Sequence, residues 1–343
     1  MMEPKKIAFT SVRSPEHHLD GHPENSNRFV HFEQLHTLSI SNKLLEIQPN
    51  LADEKTILQI HPSEYLAALQ EAVKQGPGFL DYGDTYITQD SYQAAMMSAG
   101  GVLQILEAIF LDQVRGGFAL VRPPGHHATH TRAMGFCLLN NIAIAARQAQ
   151  KMGLEKILIV DFDVHHGNGT QDIFEADPSV FYLSSHQAGI FPGTGHLHEI
   201  GTGEGESTNV NVPLPPRAGD QALTSIYSQI LTPLAHRFQP EMIMVSAGFD
   251  AHWSDPLASL LLTKRGYYSI AQSLTSLADT LCDGRIMFVL EGGYDPKTLF
   301  DCVSAVLSAM AGDLLQDDET DTSPYPEISI DSLLEQVATI HKI

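Results

Sequence analysis

Four short runs in this chain are almost wholly apolar and stop on a polar cluster, and they restrict the fold more than any other feature. They are Gly117–Arg122 (GFALVR), Lys156–Asp161 (KILIVD), Met242–Ser246 (MIMVS) and Arg285–Leu290 (RIMFVL). A strand without polar alternation is buried on both faces, which is the condition of a parallel sheet covered by helices. Val180–Ser184 (VFYLS) and Thr208–Val212 read as two further strands. Asn141–Met152, Asp220–Arg237, Lys264–Leu281 and Pro296–Met310 have helical character and fall between strands. No internal repeat and no linker rich in Pro, Gly or Ser divides the chain. The pattern predicts an α/β fold, a single domain over residues 1–343 with three layers around a central, mostly parallel sheet. Asp313–Glu327 (DLLQDDETDTSPYPE) reads as an acidic surface loop, and Ile330–Ile343 as an amphipathic helix closing the domain.

Charge bounds what the chain acts on. Lys and Arg number 20 against 41 Asp and Glu, a formal net charge of −21, which leaves little to make a basic face, and no direct nucleic-acid binding is expected. An acidic surface attracts a cationic substrate such as a Lys-rich peptide or a polyamine, and it also serves plain solubility. Cys137, Cys282 and Cys302 lie far apart with no CxxC pair, which predicts a reducing compartment rather than a disulfide framework. The opening MMEPKKIAFT lacks the apolar run of a signal peptide. No stretch approaches the ~18 apolar residues of a transmembrane helix. The expectation is a soluble, cytoplasmic protein without a membrane partner; a homo-oligomer is compatible with the sequence. Histidine is abundant, with 17 residues, and where these fall decides the function.

In open α/β sheets, ligands bind beyond the carboxyl ends of the strands. Here PPGHHATH follows GFALVR, FDVHHGNG follows KILIVD, AGFDAHWSDP follows MIMVS, and EGGYD follows RIMFVL. In Asp161-Phe-Asp163-Val-His165, residues two apart share a face if the strand continues. Asp163 and His165 can then reach one metal ion, with Asp250 from another strand end as third ligand. An Asp–His–Asp set leaves a fourth position open, the pattern of a catalytic zinc site; iron(II) and cobalt are compatible with it. A lone DxDxH is as readily a polar strand end making turn hydrogen bonds. His126 and His127, on a loop stiffened by two prolines, can exchange protons with a water and a departing amine, with Asp161 and Asn168 as partners that set their tautomers. Tyr294 can donate to a developing oxyanion, although alone it reads as a packed tyrosine. Phe136 and Phe191, on glycine-rich loops, can wall a narrow tube for an alkyl chain; each alone reads as packing.

Together RPPGHHA, GFCLLNN, DFDVHHGNGTQ, FPGTG, SAGFDAH and LEGGY, in this order between about Ser14 and Asp313, resemble the histone deacetylase and acetylpolyamine amidohydrolase superfamily. The resemblance implies the arginase-like α/β fold and a place near the class II branch with its bacterial and plastid-type members. Asn168 stands where class I members tend to carry Asp. The resemblance implies one zinc ion per chain on Asp163, His165 and Asp250. It makes His127 the main general base and acid, with His126 assisting, Asp161 and Asn168 orienting the pair, and Tyr294 polarising the acetyl carbonyl. Phe136 and Phe191 would line an acyl-lysine channel, with the Gly135 carbonyl accepting the substrate amide N–H. Arg28, in HPENSNR, would line an inner acetate-exit cavity. A structural potassium ion is expected at Asp161, Asp163, His165 and Ser184. Tyr294 is the form of that position found in active members, since some class II members carry histidine there. Leu257 stands where some polyamine-specific members carry glutamate, and His252 and Trp253 are expected at the rim. The implied activity is hydrolysis of N-acetyl amides, acetyl-lysine in proteins or peptides first, to acetate and free amine. The alternatives are deacetylation of acetylpolyamines or other small N-acetyl amines, a two-metal ureohydrolase on the same fold, and an acetyl-lysine-binding module without catalysis.

Overall fold

The computed structural model describes residues 5–81, 84–315 and 321–343. Its strands are β1 (Ile7–Val12), β2 (Leu44–Glu46), β3 (Gly78–Phe79), β4 (Tyr86–Ile87), β5 (Gly116–Val121), β6 (Ile157–Asp161), β7 (Val180–Gln187), β8 (Asn209–Leu214), β9 (Met242–Ala247) and β10 (Ile286–Leu290). Eight of them form one parallel sheet in the order β2-β1-β5-β10-β9-β6-β7-β8, and β3 pairs with β4 in a small antiparallel ribbon. The apolar runs are buried on both faces for the reason their composition gives. Leu158 and Val160 of β6 enter one core while Ile157 and Ile159 enter the other; Phe118 and Leu120 of β5 oppose Ala119 and Val121 in the same way.

The helices are α1 (Glu54–Ile57), α2 (Ser63–Gln75), α3 (Ser91–Phe110), α4 (Asn141–Lys151), α5 (Asn168–Phe174), α6 (Asp220–Ile226), α7 (Thr232–Phe238), α8 (Lys264–Leu281), α9 (Pro296–Met310) and α10 (Asp331–His341). Local chemistry starts several of them. Asn140 caps α4 by accepting from Ala143 N, and Thr263 caps α8 by accepting from Gly266 N. Asp295 caps α9, with Pro296 as the first helical residue. The helix expected over Asp220–Arg237 is interrupted by a π turn, Tyr227–Leu231. Pro233 cannot donate a backbone hydrogen bond, and the Thr232 N–H just before it reaches back to Tyr227 O. β7 runs three residues beyond Ser184, because Ser185, His186 and Gln187 stay in register with β8.

β1, β2, α2 and α3 have no counterpart in the sequence-based expectations. The expectation that no stretch reaches transmembrane length also fails. α3 is 20 residues long with a mean hydropathy of 1.2 over its best 18-residue window. That window is 67% buried, and the helix packs on β1, β5 and α4, so its apolarity serves the core. Of the acidic loop expected over 313–327, residues 316–320 lie outside the described residues.

The topology gathers the polar clusters. β5, β10, β9 and β6 are consecutive in the sheet although their order in the chain is β5, β6, β9, β10. PPGHH, EGGYD, GFDAH and FDVHH therefore leave neighbouring strands at the same carboxyl edge.

Candidate active site

Beyond the last residue of β6 the backbone folds onto its own carboxylates. Asp163 N donates to Asp161 Oδ1 (3.1 Å), and His165 N donates to Asp163 Oδ1 (2.9 Å). Gly292, after β10, donates its N–H to Asp163 Oδ2 (2.8 Å), and Val164 N donates to Asp250 Oδ1 (2.9 Å). His165 Nδ1 lies 3.1 Å from Asp163 Oδ1 and 3.2 Å from Asp250 Oδ2. One ligand atom from each of Asp163, His165 and Asp250 falls within 4.8 Å of the others, and among the described residues this is the cluster of three that could hold a metal ion. Asp250 Oδ2 is buried and, despite its proximity to the ring nitrogen, has no hydrogen-bond partner. A buried carboxylate oxygen without a donor is costly, and a cation between the three groups removes that cost. One imidazole and two carboxylates fit zinc. Burial works against charge on His165, but Asp163 and Asp250 outweigh it and push the imidazole up to about 10. A metal ion binding at Nδ1 displaces that proton.

The paired histidines occupy opposite electrostatic states. His126 Nδ1 is 3.0 Å from Asp161 Oδ2 and its Nε2 is 3.9 Å from Asp163 Oδ1. Burial disfavours a charged His126, yet Asp161, Asp163 and Glu291 override it and raise the group to about 10. His127, with its ring centroid 4.0 Å away, is driven well below the usual imidazole range, by burial first and then by the positive charge of His126 and His165. His127 Nδ1 is 2.8 Å from Asn168 Oδ1, while Asn168 Nδ2 donates to His127 O. An amide oxygen only accepts, so the His127 proton sits on Nδ1 and Nε2 keeps its lone pair. Tyr182 OH donates to Asp161 Oδ2 (3.0 Å) and holds the other end of the His126 pair.

A cavity of about 270 Å³ opens onto these groups. It is lined by His126, His127, His165, Gly135, Phe136, Phe191, Leu257 and Tyr294, together with Pro23, Asp84, Pro124, Ile190 and Gly292. Phe191 and Leu257 are its exposed hydrophobic members. The Phe191 ring stands edge-on to His127, centroids 5.0 Å apart, and Phe136 stands edge-on to Tyr294 at 5.9 Å. Gly135 has φ +55°, and a Cβ there would lie 2.4 Å from His127 Cδ2, so only glycine lets this loop close over the histidine. Burial, followed by the charge of Asp250, raises the Tyr294 phenol, which keeps it a hydrogen-bond donor.

Arg28 is buried behind Tyr294, its guanidinium 5.0 Å from the ring centroid. It donates from Nε to Gly293 O (2.7 Å) and from Nη2 to Glu291 O (2.6 Å). Ser184 is opposite Asp161 in the β6–β7 register, with its Oγ 2.8 Å from His186 Nδ1. His252 corrects the expectation of a rim position, whereas Trp253 is half-buried. His252 is 5% exposed, and both rings bond to Asp321 Oδ1, at 3.0 Å and 2.8 Å.

Several supporting residues have no forecast in the motifs. Glu291 Oε2 accepts Gly125 N (2.7 Å) and His126 N (3.1 Å), tying the PPGHH loop to the end of β10. Its burial outweighs the pull of His126 and lifts the carboxyl to about 7. Glu24 joins Arg122 (2.5 and 2.9 Å) to Arg28 (3.3 Å) in full burial. Burial opposes its charge, but Arg122, His17 and Arg28 hold it down to about 2. Asp255 Oδ2 accepts Tyr294 N (2.8 Å) and Oδ1 accepts Leu257 N (3.0 Å). Glu291 opens the EGGYD cluster itself, and Glu24 lies in the same segment as Arg28; their positions were the available signal.

Residues 22–310 match the family model described as the histone deacetylase domain. The chain belongs to the histone deacetylase family. The histone deacetylase 10, chloroplastic, of Oryza sativa subsp. japonica is 41% identical over 327 residues, 90% of this chain and 73% of that one. A probable deacetylase of Archaeoglobus fulgidus is 39% identical over 295 residues, covering 85% and 82%. The crystal structure of the HDA15 HD domain superposes with a TM-score of 0.88 at 34% identity, covering 98% of this chain and 94% of that one. This member of the histone deacetylase family is thus an amidohydrolase of the deacetylase type on the arginase-like fold.

Proposed function

We propose that this deacetylase hydrolyses N-acetyl amides with one zinc ion on Asp163, His165 and Asp250, and that its substrate is acetyl-lysine in proteins or peptides. The observation that carries this reading is the donor-less, buried Asp250 Oδ2 in a three-ligand cluster beneath a cavity that His127 and Tyr294 both line. Zinc there supplies Lewis-acid polarisation of the acetyl carbonyl and a lowered pKa for water. The chain's own groups do the rest. His127 Nε2, with its lone pair free, takes a proton from the attacking water as the C–O bond forms. Positive His126, fixed by Asp161, faces the charge that develops, and the Tyr294 hydroxyl donates to the carbonyl oxygen as it becomes an oxyanion. The C–N bond then breaks, the amine nitrogen receives the proton from His127, and acetate and free amine leave. Phe136 and Phe191 suit an alkyl chain, and the Gly135 carbonyl suits the amide N–H of the substrate. We assign Arg28 to the inner acetate path and Asp161, Asp163, His165 and Ser184 to a potassium ion on the family resemblance. Three free, buried cysteines favour a reducing compartment such as the cytoplasm.

A second reading is deacetylation of acetylated polyamines. Asp84 lines the cavity together with Leu257 and offers a carboxylate to a cationic amine, although Leu257 itself is apolar. A panel decides between them: acetate release from an acetyl-lysine peptide, acetylated polyamines and a small aryl-alkyl N-acetyl amine, with and without a hydroxamate. Hydroxamate-sensitive turnover of the peptide above the others supports the first reading. A preference for the polyamines overturns it, and no turnover of any member by zinc-loaded protein defeats both.

A further inference from the structure

The loop that follows Asp250 is held from outside the stretch matched by the family model. That stretch ends at residue 310, and Asp321 lies beyond it. Both oxygens of the Asp321 carboxylate are used. Oδ1 meets His252 Nε2 (3.0 Å) and accepts from Trp253 Nε1 (2.8 Å), while Oδ2 accepts from Lys264 N at the start of α8 (2.5 Å). One side chain of the C-terminal segment therefore fixes two consecutive residues just past Asp250 and ties them to a helix end. Bonds to an ionised carboxylate are about twice as strong as neutral ones. The loop is also braced within itself. His252 Nδ1 is 2.9 Å from Ser254 Oγ, and Asp255 N donates to His252 O (2.9 Å). Asp255 then passes the position on, accepting Leu257 N on one oxygen and Tyr294 N on the other.

We infer that Asp321 is a positioning residue for the active site. From the C-terminal segment it fixes the loop Asp250–Leu257, and through the Asp255 carboxylate it sets where Tyr294 and Leu257 stand. The inference rests on the proposed role of Tyr294 for its effect on catalysis, but not for the contact itself. The contacts run through named hydrogen bonds in sequence, from Asp321 to His252 and Trp253, through the loop to Asp255, and from Asp255 to the backbone of Tyr294. Among the described residues, the acceptor for the Tyr294 N–H is the Asp255 carboxylate. An ångström of displacement at a group that meets the transition state is enough to cost rate.

Trp253 is the single tryptophan of the chain, so its fluorescence reports on this contact alone. The experiment uses the full-length, zinc-loaded enzyme with Asp321→Asn, Asp321→Ala, Tyr294→Phe and the double variant Asp321→Asn/Tyr294→Phe. Thermal unfolding and zinc content are measured beside each. Asp321→Asn and Asp321→Ala are expected to red-shift Trp253 emission and lower its anisotropy, and to reduce kcat by about tenfold with KM for a minimal acetyl-lysine substrate nearly unchanged. Zinc content stays at wild-type level. In the double variant, kcat falls no further than in Tyr294→Phe alone, because the two changes remove one interaction. Additive losses, or wild-type kcat with unchanged Trp253 emission, overturn the inference. A kcat loss accompanied by zinc loss overturns it too, since Asp321 would then act on Asp250. If Tyr294→Phe itself keeps wild-type turnover, it is the role proposed for Tyr294 that fails, and the emission of the Asp321 variants still shows whether that carboxylate holds the loop.

Discussion

Gly292→Ala tests whether the space around the three candidate ligands is as tight as a metal site requires. Gly292 lies between β10 and Tyr294, and its N–H already holds Asp163 Oδ2 at 2.8 Å. A Cβ at this position would lie 2.0 Å from Asp250 Oδ2 and 2.7 Å from Asp163 Oδ2, against a floor of 3.0 Å for real Cβ contacts. Asp250 Oδ2 must retreat by about 1 Å, whereas a metal site tolerates ligand distances within about 0.2 Å. Gly292 is not among the glycines with positive φ, so alanine is allowed by the backbone and the effect is steric. The expected result is a loss of zinc affinity on the order of 10²-fold or more, with acetate release falling in parallel and partly restored by excess zinc. Affinity is read by competition with a chromogenic chelator and by metal content after dialysis, with circular dichroism to verify the fold. Gly78→Ala is the control, because a Cβ there meets nothing within 4 Å, and it is expected to be neutral. Zinc affinity of Gly292→Ala within threefold of wild type would refute the placement of the metal between Asp163 and Asp250.

Three further predictions follow from the same geometry. Tyr294→Phe is expected to lose on the order of 10²-fold in kcat while keeping its zinc; steady-state kinetics with metal analysis checks this, and full turnover contradicts it. Asn168→Asp places a carboxylate where Asn168 Oδ1 now stands 2.8 Å from His127 Nδ1, and its negative charge raises that imidazole. The base is then protonated at higher pH, so the acidic limb of the kcat/KM profile moves upward, and an unmoved limb would discount His127 as the base. Glu24, held down to about 2 from 4.5, contributes stability in full above about pH 4.5 and loses it as pH falls toward 2, about 3 kcal/mol in all. Glu24→Gln leaves Arg28 and Arg122 buried without their carboxylate and is expected to cost about 3–5 kcal/mol at pH 7, read by denaturant unfolding.

What the sequence made legible followed from local chemistry. The inner strands announced themselves because burial on both faces forbids polar residues, as in KILIVD and RIMFVL, and their ends were marked by glycine beside histidine and aspartate. The metal cluster was readable because DxDxH spaces two ligands two residues apart at a strand end, although β6 stops at Asp161 and a bend held by the Asp161 and Asp163 carboxylates, rather than a continuing strand, brings Asp163 and His165 together. Asn168 was readable because it follows two residues after His166. β1 escaped because Thr10 and Ser11 break its apolar run, and β2 because it is three residues long. Glu24 escaped for a different reason: its partner Arg122 is 98 residues away, and nothing near Glu24 in sequence marks it as buried. Asp321 is further still from notice, sitting in an acidic, proline-bearing stretch that reads as solvated while its carboxylate meets His252, Trp253 and the Lys264 N–H, 57 to 69 residues earlier in the chain. Local composition gives the reactive groups, and the residues that hold them come from contacts that only the fold creates.

The central claim is that this chain hydrolyses an N-acetyl amide with a metal ion held by Asp163, His165 and Asp250, and the most direct measurement is a zinc titration of metal-stripped protein followed by acetate release from an acetyl-lysine peptide. The account predicts no turnover in the stripped protein and activity that rises linearly to a break at one zinc per chain, abolished in Asp250→Ala. Full turnover by the stripped protein, or a break at two metal ions per chain, would contradict it.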